Sequence, residues 1–191
     1  MGTIKTTNIE PIADNGTVTL GSSGDTFTVP SGVTMVNNGT QTGFGGVNTP
    51  AFQAKVSSSQ SISDDTFTKI QFNTEDFDTD GVYDNSTNYR FTVPSGQAGK
   101  YAIYFAVTLD GESSSNLDSS LVEIRKNGTN IFGNEFLLLS NPLRYVPNVA
   151  TFITELSVSD YIELFCRIEA SDASGGRVNA NSRFGAYKII E

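Results

Sequence analysis

Hydrophobic and polar residues alternate along most of the chain, and no segment repeats them with the period of a helix. In the segment 100–110, KYAIYFAVTLD, every second residue from Tyr101 to Leu109 is apolar. A period of two is typical of a β-strand, whose successive side chains point to opposite faces. The residues between them, such as Tyr104 and Ala106, are also mostly apolar. The pattern therefore predicts a central strand that is covered on both faces.

The same alternation predicts several more strands and no helix. They are expected at 51–56, 67–73, 89–93, 121–132, 135–140, 149–158, 160–170 and 183–190. Within 121–132 the dipeptide Asn127-Gly128 predicts a tight hairpin turn, because both residues tolerate a left-handed backbone. Roughly eight to ten strands at hairpin spacing predict an all-β sandwich or barrel.

The first 46 residues differ from the rest. Their apolar residues come in very short pieces, such as Val18 with Leu20 and Phe27 with Val29, separated by Gly, Ser or Asn-Gly. Strands this short bury too little to stand alone and need a partner, either the rest of the domain or other copies of the chain. A glycine-rich joint, TGFGG at 42–46, follows. We therefore predict a β-stranded stem at 1–46 and a second domain at 47–191.

The hexapeptide FTVPSG occurs twice, at 27–32 and at 91–96. The residues on either side of the two copies do not align, so a tandem duplication is not indicated. Each copy is a short strand that proline stops, since proline cannot donate a ladder hydrogen bond, followed by a Ser-Gly turn. We interpret the repeat as the same short strand and turn occurring independently at two places in the chain.

Composition excludes several classes of function. The formal net charge of −9 opposes binding to nucleic acid and to an anionic membrane surface. The chain has no histidine and one cysteine, which removes the commonest general base and any thiolate zinc cluster. No basic, then apolar, leader opens the sequence, and no apolar run approaches the roughly 20 residues of a membrane span. We expect neither export by a signal peptide nor membrane insertion.

Motifs in the second domain resemble the globular C1q domain. The resemblance covers residues 51–191 and lies in an ordered series of short features: Phe72-Asn73, Gly81, Tyr83-Asp84, Phe91-Thr92, Pro94, Gly99-Lys100-Tyr101, LVEIRKNG, SVSDYIELFCRI and RFGAYKII. Each feature is weak alone, but their order and spacing are specific. One departure is that Phe184 and Gly185 are adjacent, where the family usually has one residue between them.

The resemblance implies a ten-stranded antiparallel jelly roll, related to tumour necrosis factor, that forms homotrimers. The N-terminal segment, in place of a collagen-like stalk, is similar to short stems of bacteriophage structural proteins. The expected fold is thus an all-β, C1q/TNF-like jelly-roll sandwich with a short β-stranded N-terminal stem, assembled as a homotrimer. Apolar residues on the second face of the central strand, such as Tyr104 and Ala106, would contact neighbouring subunits. Alternatively they lie between the two sheets of one monomer.

The function implied is that of a non-enzymatic phage virion surface protein, either a capsid decoration or a short fibre. The chain would be made in the host cytoplasm and located on the virion surface. Its expected partners are two further copies of itself, a capsid or tail protein bound through the N-terminal segment, and a host-surface glycan or protein at the head. The alternative is a bacterial cell-surface adhesin or ligand-binding module, and a third possibility is a glycan-acting enzyme.

One acidic segment, TEDFDTDGVYDNST, predicts a calcium site. Asp76, Asp78, Asp80 and Asp84 occupy the first, third, fifth and ninth places of a calcium-loop pattern. The bidentate glutamate expected at the twelfth place is Thr87, and no helix flanks the segment. The alternative is a solvated acidic loop between strands. No other cofactor is expected.

Three other groups have candidate chemistry. The carboxylates of Asp110, Glu112 and Asp118 could pair as the acid and base of a glycosidase, but nothing selects a pair and their loop is rich in Ser and Asn. Cys166 alternates with Ile162, Leu164 and Ile168 and is predicted to be a small core residue. The aromatic rings of Tyr83 and Tyr145 are expected at loop tips, where they could contact a glycan, but a packing role is the favoured interpretation.

Overall fold

The computed structural model describes residues 9, 11, 16–36, 38, 48–112, 116–138 and 141–189. The chain divides into two compact units, Met1–Phe44 and Gly45–Glu191. The glycine-rich joint predicted at 42–46 lies outside the described residues. We call the second unit the head.

The described residues of the head form thirteen strands and no helix. The strands are β1 Ala51–Lys55, β2 Gln60–Ile62, β3 Thr68–Lys69, β4 Thr74–Asp78, β5 Tyr83–Asp84, β6 Arg90–Thr92, β7 Gly99–Asp110, β8 Leu117–Lys126, β9 Thr129–Leu137, β10 Tyr145–Leu156, β11 Tyr161–Ala170, β12 Gly176–Val178 and β13 Arg183–Lys188. No helix long and apolar enough to cross a membrane is found among these residues.

The first sheet is built around β7. Its order is β2-β12-β7-β13-β1-β4, and β10 pairs with the free side of β7 along its whole length, from Gly99 opposite Leu156 to Asp110 opposite Tyr145. Strand β7 is thus hydrogen-bonded along both edges, as predicted for a central strand. Its second apolar face is not covered within this chain, because Ala106 is exposed there. All pairings are antiparallel.

The second sheet has the order β5-β6-β11-β8-β9, with β3 also paired to β11. Strands β8 and β9 form the hairpin predicted at Asn127-Gly128, where both residues have positive φ, 52° and 81°. These are the left-handed conformations that a two-residue hairpin turn requires. Strand β9 continues to Leu137, so the separate strand predicted at 135–140 is wrong: its described part belongs to the end of β9.

The core lies between the two sheets and is rich in aromatic rings. Phe52 of β1 stacks on Tyr83 and Phe91 of the opposite sheet, with ring centroids 4.5 and 5.3 Å away. Phe184 packs edge-on against Phe52 at 5.1 Å. The predicted loop-tip position of Tyr83 is wrong, because its ring is buried in this stack and its hydroxyl donates to the Phe72 carbonyl. Tyr101 also packs against Phe91.

Some short strands were not predicted from the alternating pattern. The segment 74–78 was expected to be a loop, but it forms β4 beside β1 at the edge of the first sheet. Strands β2 and β12 are three residues each, too short to show alternation. Conversely, the strand predicted at 67–73 is paired only at Thr68–Lys69. Such edge elements depend on a neighbouring strand more than on their own sequence.

The first unit has turns but no β-strand within its described residues, and the β-stranded stem stays a prediction of the sequence. A turn closes from Asp25 N to the Ser22 carbonyl at 3.0 Å, and a second closes from Val33 N to the Pro30 carbonyl at 3.2 Å. Between and beside these turns the backbone runs without a strand partner. Short apolar pieces do not supply enough burial within one chain to fix a ladder.

The two FTVPSG copies make the same turn. In the head, Gln97 N donates to the Pro94 carbonyl at 3.2 Å, which matches the Pro30–Val33 turn in the first unit. The glycines Gly32 and Gly96 both have positive φ, 83° and 75°. A type II turn needs this conformation at its third residue, which explains the Ser-Gly pair in both copies.

Candidate functional site

An apolar patch covers the outer face of the first sheet. In antiparallel pairs, residues directly opposite each other have side chains on the same face. Val149 of β10 lies opposite Ala106 of β7, and Ile153 lies opposite Ala102. Val149 is 65% exposed and Ile153 58% exposed. The β-branched side chains of Val149 and Ile153 are therefore exposed to solvent beside the small apolar residues Ala106 and Ala102.

The patch continues over β7 and β13 through two tyrosines. Tyr104 lies flat across Gly185, where an added Cβ would be 2.4 Å from the Tyr104 ring and hydroxyl. Its hydroxyl donates to Gln53 Oε1 at 3.1 Å, and its ring centroid is 6.5 Å from that of Tyr187. Burial raises the pKa of Tyr104. We call Tyr104, Ala106, Val149, Ile153 and Tyr187 the apolar face.

A second apolar surface lies where β9 and β10, the edges of the two sheets, run side by side. Asn134 of β9 donates its side-chain amide to the Val149 carbonyl at 3.4 Å, and the rings of Phe132 and Phe152 are 5.2 Å apart. Beside this contact three large apolar side chains are exposed, which we call the apolar edge: Phe136, Leu137 and Leu143. Tyr145 is 49% exposed, but it is the first residue of β10, opposite Asp110, and does not lie at the predicted loop tip. Alternation along β10 puts its side chain on the same face as Val149.

The outer face of the second sheet has the opposite character. Its buried carboxylates, Glu123 and Glu163, are paired with Arg125 at 2.8 Å and with Lys69. The Arg125 guanidinium also lies 3.9 Å from the ring centroid of Phe165. The two carboxylates and their two cationic partners therefore neutralise one another on this outer face. The two outer faces differ in the large apolar side chains exposed on the first sheet, although that face also carries paired charges where Asp76 contacts Lys55 and Arg183.

A buried ion cluster closes one end of the sandwich. The carboxylate of Asp110, at the end of β7, accepts hydrogen bonds from Arg177 at 2.7 Å and from Arg144 at 3.2 Å. The Glu112 backbone amide donates to it at 2.8 Å. Burial disfavours the ionised form, but the hydrogen bonds from Arg177 and Arg144 outweigh it and hold the pKa of Asp110 below its usual value.

This geometry does not support Asp110 as half of a glycosidase pair. Both of its oxygens are occupied, and its side chain is inaccessible to a substrate. Asp118 lies on β8, where its backbone carbonyl accepts from Leu138 N. The Ser-rich residues 113–115 between them lie outside the described residues. Asp110 instead joins β7, β12 and the segment that leads into β10.

We expect Asp110→Asn to destabilise the head by about 1.5–3 kcal/mol, because it removes the charge from two arginine hydrogen bonds. The folded pKa of Asp110 is depressed. Its stabilisation is therefore complete above the unfolded pKa of about 3.9 and is lost as pH falls through the lower folded pKa. Denaturant unfolding at a series of pH values checks both points. Equal free energies of unfolding for the wild type and Asp110→Asn at pH 7 would contradict the assignment.

The four predicted calcium ligands do not converge. Asp76 is bound by Lys55 Nζ at 2.7 Å, by Gln53 and by Arg183, and these donors lower its pKa to about 2. Asp78 lies opposite Phe52, whose ring points into the core. A bulge between Gln53 and Ala54 separates the two pairings, so that Asp76 and Asp78 face opposite sides of the sheet edge.

The other two carboxylates support turns. Asp84 accepts from the backbone amides of Ser86, Thr87 and Asn88 at 2.9–3.1 Å, and these hydrogen bonds hold its pKa well below the usual range. Asp80 accepts from the Thr79 hydroxyl at 3.2 Å. Among the described residues no group of three or more His, Cys, Asp or Glu side chains is placed to hold a metal. Calcium binding stays a prediction of the sequence, without support from this geometry.

Cys166 is buried in the core, as predicted. Burial raises the pKa of its thiol to about 12. Because the thiolate is the reactive form, we expect no labelling by a thiol reagent at pH 8 in the native protein and complete labelling in denaturant. Rapid native labelling, followed by absorbance, would show that β11 is not packed in this way.

Sequence reasoning named Tyr104 and Ala106 but missed the larger part of the exposed surface. Alternation within the predicted strand 149–158 puts Val149 and Ile153 on one face, but nothing in the pattern says which face is the outer one. Alternation assigns residues to two sides, whereas the sheet that packs on one side decides exposure. Only the pairing of β10 with β7 places these side chains beside Ala106 and Ala102.

Comparison with known proteins supports the fold. No protein-family model and no curated protein sequence matches the chain. Among solved structures, the globular domain of zebrafish complement 1qA protein matches with a TM-score of 0.51 and 13% sequence identity, over 73% of this chain and 97% of that domain. The C1q-like fold predicted from the motifs is thereby confirmed. At this identity the likeness concerns the fold alone.

Proposed function

We propose that this chain is a non-enzymatic, homotrimeric surface protein of a bacteriophage virion, either a capsid decoration or a short fibre. The N-terminal segment attaches it to a capsid or tail protein. The head faces solvent and contacts the host surface. The exposed apolar face of the first sheet is the observation that carries the assembly part of this proposal.

A closed ring of three identical subunits needs two different surfaces that fit each other, because each contact is head-to-tail. The head exposes two such apolar surfaces: the apolar face and the apolar edge. Packing the edge of one subunit on the face of the next would bury Val149 and Ile153 together with Phe136 and Leu137. The paired charges of the second sheet, such as Glu123 with Arg125, would then remain outside in water.

The chemistry of the described residues favours binding over catalysis. The chain has no histidine to activate a nucleophile, and its one thiol is buried. Asp110, the most buried carboxylate, is held by two arginines. These features support a structural role, and activity assays on host polysaccharide would provide a direct test of it.

The virion assignment is supported by the N-terminal sequence, which resembles short phage stems, and by the acidic charge of −9, which suits a solvated exterior. An exposed ring with a cation beside it offers a contact for the host surface: Arg144 lies 4.7 Å from the ring centroid of Tyr145. A bacterial adhesin or ligand-binding module would use the same head. The two alternatives differ in where the protein is found.

Electron microscopy of purified phage particles with a gold-labelled antibody against the head tests the assignment. We expect label at regular positions on the capsid or the tail. Label on uninfected cells, with none on particles, would establish the adhesin instead. Analytical ultracentrifugation of the purified chain tests the trimer independently.

A further inference from the structure

The two copies of FTVPSG have the same sequence but opposite burial. Phe91, in the head copy, is fully buried, and Val93 is buried beside it. Phe27, in the first unit, is 64% exposed. Both copies make the same turn, so local sequence does not explain the difference. What differs is the presence of a partner.

In the head, that partner is a pair of neighbouring strands. Phe91 lies opposite Ile162 of β11 on one side and opposite Tyr83 of β5 on the other. The same three residues, Phe-Thr-Val, form no strand at 27–29. The head copy thus shows what this hexapeptide does when strands with apolar side chains flank it.

The first unit contains an apolar groove, and none of its described residues forms a strand beside that groove. Its volume is about 520 Å³, and its lining residues are Leu20, Phe27, Val29, Val33, Thr34 and Met35. Phe27 and Val29 both line it while Thr28 does not, as expected for an extended arm with alternating side chains. Residues 27–29 thus present alternate side chains to the groove, as a strand does to a neighbour on one face.

Charge favours an identical partner. In a chain of net charge −9, residues 16–36 carry a single ionisable side chain, Asp25. Its carboxylate accepts from the Ser22 backbone amide at 2.7 Å and thereby caps its own turn. Copies of this segment can therefore meet without the repulsion that opposes contact elsewhere on the chain. The segment also has no array of charges that would select a basic or an acidic partner.

We propose that residues 16–36 of the three chains pack against one another. The segments at 27–29 would pair as strands between chains, and the side chains of Phe27 and Val29 would pack into the groove of the next chain. This inference rests on the proposed homotrimer and adds a second, independent interface to it. The arm at 26–29 then gains the ladder hydrogen bonds and burial that the head copy has at 91–93. The β-stranded stem expected from the sequence would form only between chains.

Cysteine cross-linking of the full chain tests the interface. Val29→Cys places a thiol on the groove side of the arm, and Thr28→Cys places a matched thiol on the other side. Cys166 is buried and does not interfere. We expect Val29→Cys to form an interchain disulfide about tenfold faster than Thr28→Cys, because successive side chains of a strand point to opposite faces. Unchanged circular dichroism of the head would show that both variants fold.

Amide hydrogen exchange of the wild-type chain gives a second measurement. Amides at 26–29 are expected to exchange about 100-fold more slowly than those of an unpaired segment, since interchain pairing protects them. Amides at 91–93 serve as the protected reference. A trimer with unprotected amides at 26–29 and no preference for Val29→Cys would overturn this inference while the proposed assembly stands. A monomer in solution would overturn both.

Discussion

Replacing Ile153 by aspartate should convert the assembled protein from trimers into single chains. Ile153 is one of the most exposed apolar residues of the apolar face, and the proposed contact buries it in every subunit. Three carboxylates would then enter apolar surroundings, and each costs several kcal/mol unless it is paired or protonated. Sedimentation velocity at micromolar concentration measures the outcome.

Val158→Asp is the matched control. Val158 is a β-branched residue that is also exposed, but it lies in the turn before β11, away from the apolar face. This variant should remain trimeric. If Ile153→Asp also remained trimeric, either the head contact would lie elsewhere or the proposed interface at 16–36 would hold the trimer alone. If the wild type itself sedimented as a single chain, the proposed assembly would be wrong.

The second large effect is expected in the core, where the repeated hexapeptide supplies its own control. Phe91→Ala should destabilise the head by about 3–5 kcal/mol, the usual cost of truncating a buried phenylalanine. The ring of Phe91 packs between Phe52, at 5.3 Å, and Tyr101, at 5.4 Å, so its removal leaves a cavity between the two sheets. Such a loss is a large fraction of the stability of an ordinary domain.

Phe27→Ala makes the same substitution in the same six residues of the first unit. Phe27 is exposed within its own chain, so the unfolding transition of the head should not change. Urea unfolding followed by tyrosine fluorescence compares the two variants at one chain concentration. Equal effects on the head transition would mean that the two copies have similar surroundings, which would contradict the structure.

The calcium pattern shows why a partial sequence match does not define the geometry of a site. Asp76, Asp78 and Asp80 have the spacing of a loop that wraps a cation. In the structure, residues 74–78 are drawn into an edge strand by β1, and Lys55 and Arg183 neutralise Asp76. Both partners are far away in sequence, so the local pattern could not predict them.

The alternating pattern by itself determined most of the head: the long strands β7, β10, β11 and β13, the hairpin at Asn127-Gly128, and the buried position of Cys166. These features depend on local alternation and turn chemistry, which one segment of sequence contains completely. The tertiary structure alone decided that β4 is a strand, that Tyr83 is buried, and that Val149 and Ile153 remain exposed. It also decided the opposite burial of Phe27 and Phe91, because burial depends on which distant strand lies alongside and not on the residues of the segment itself.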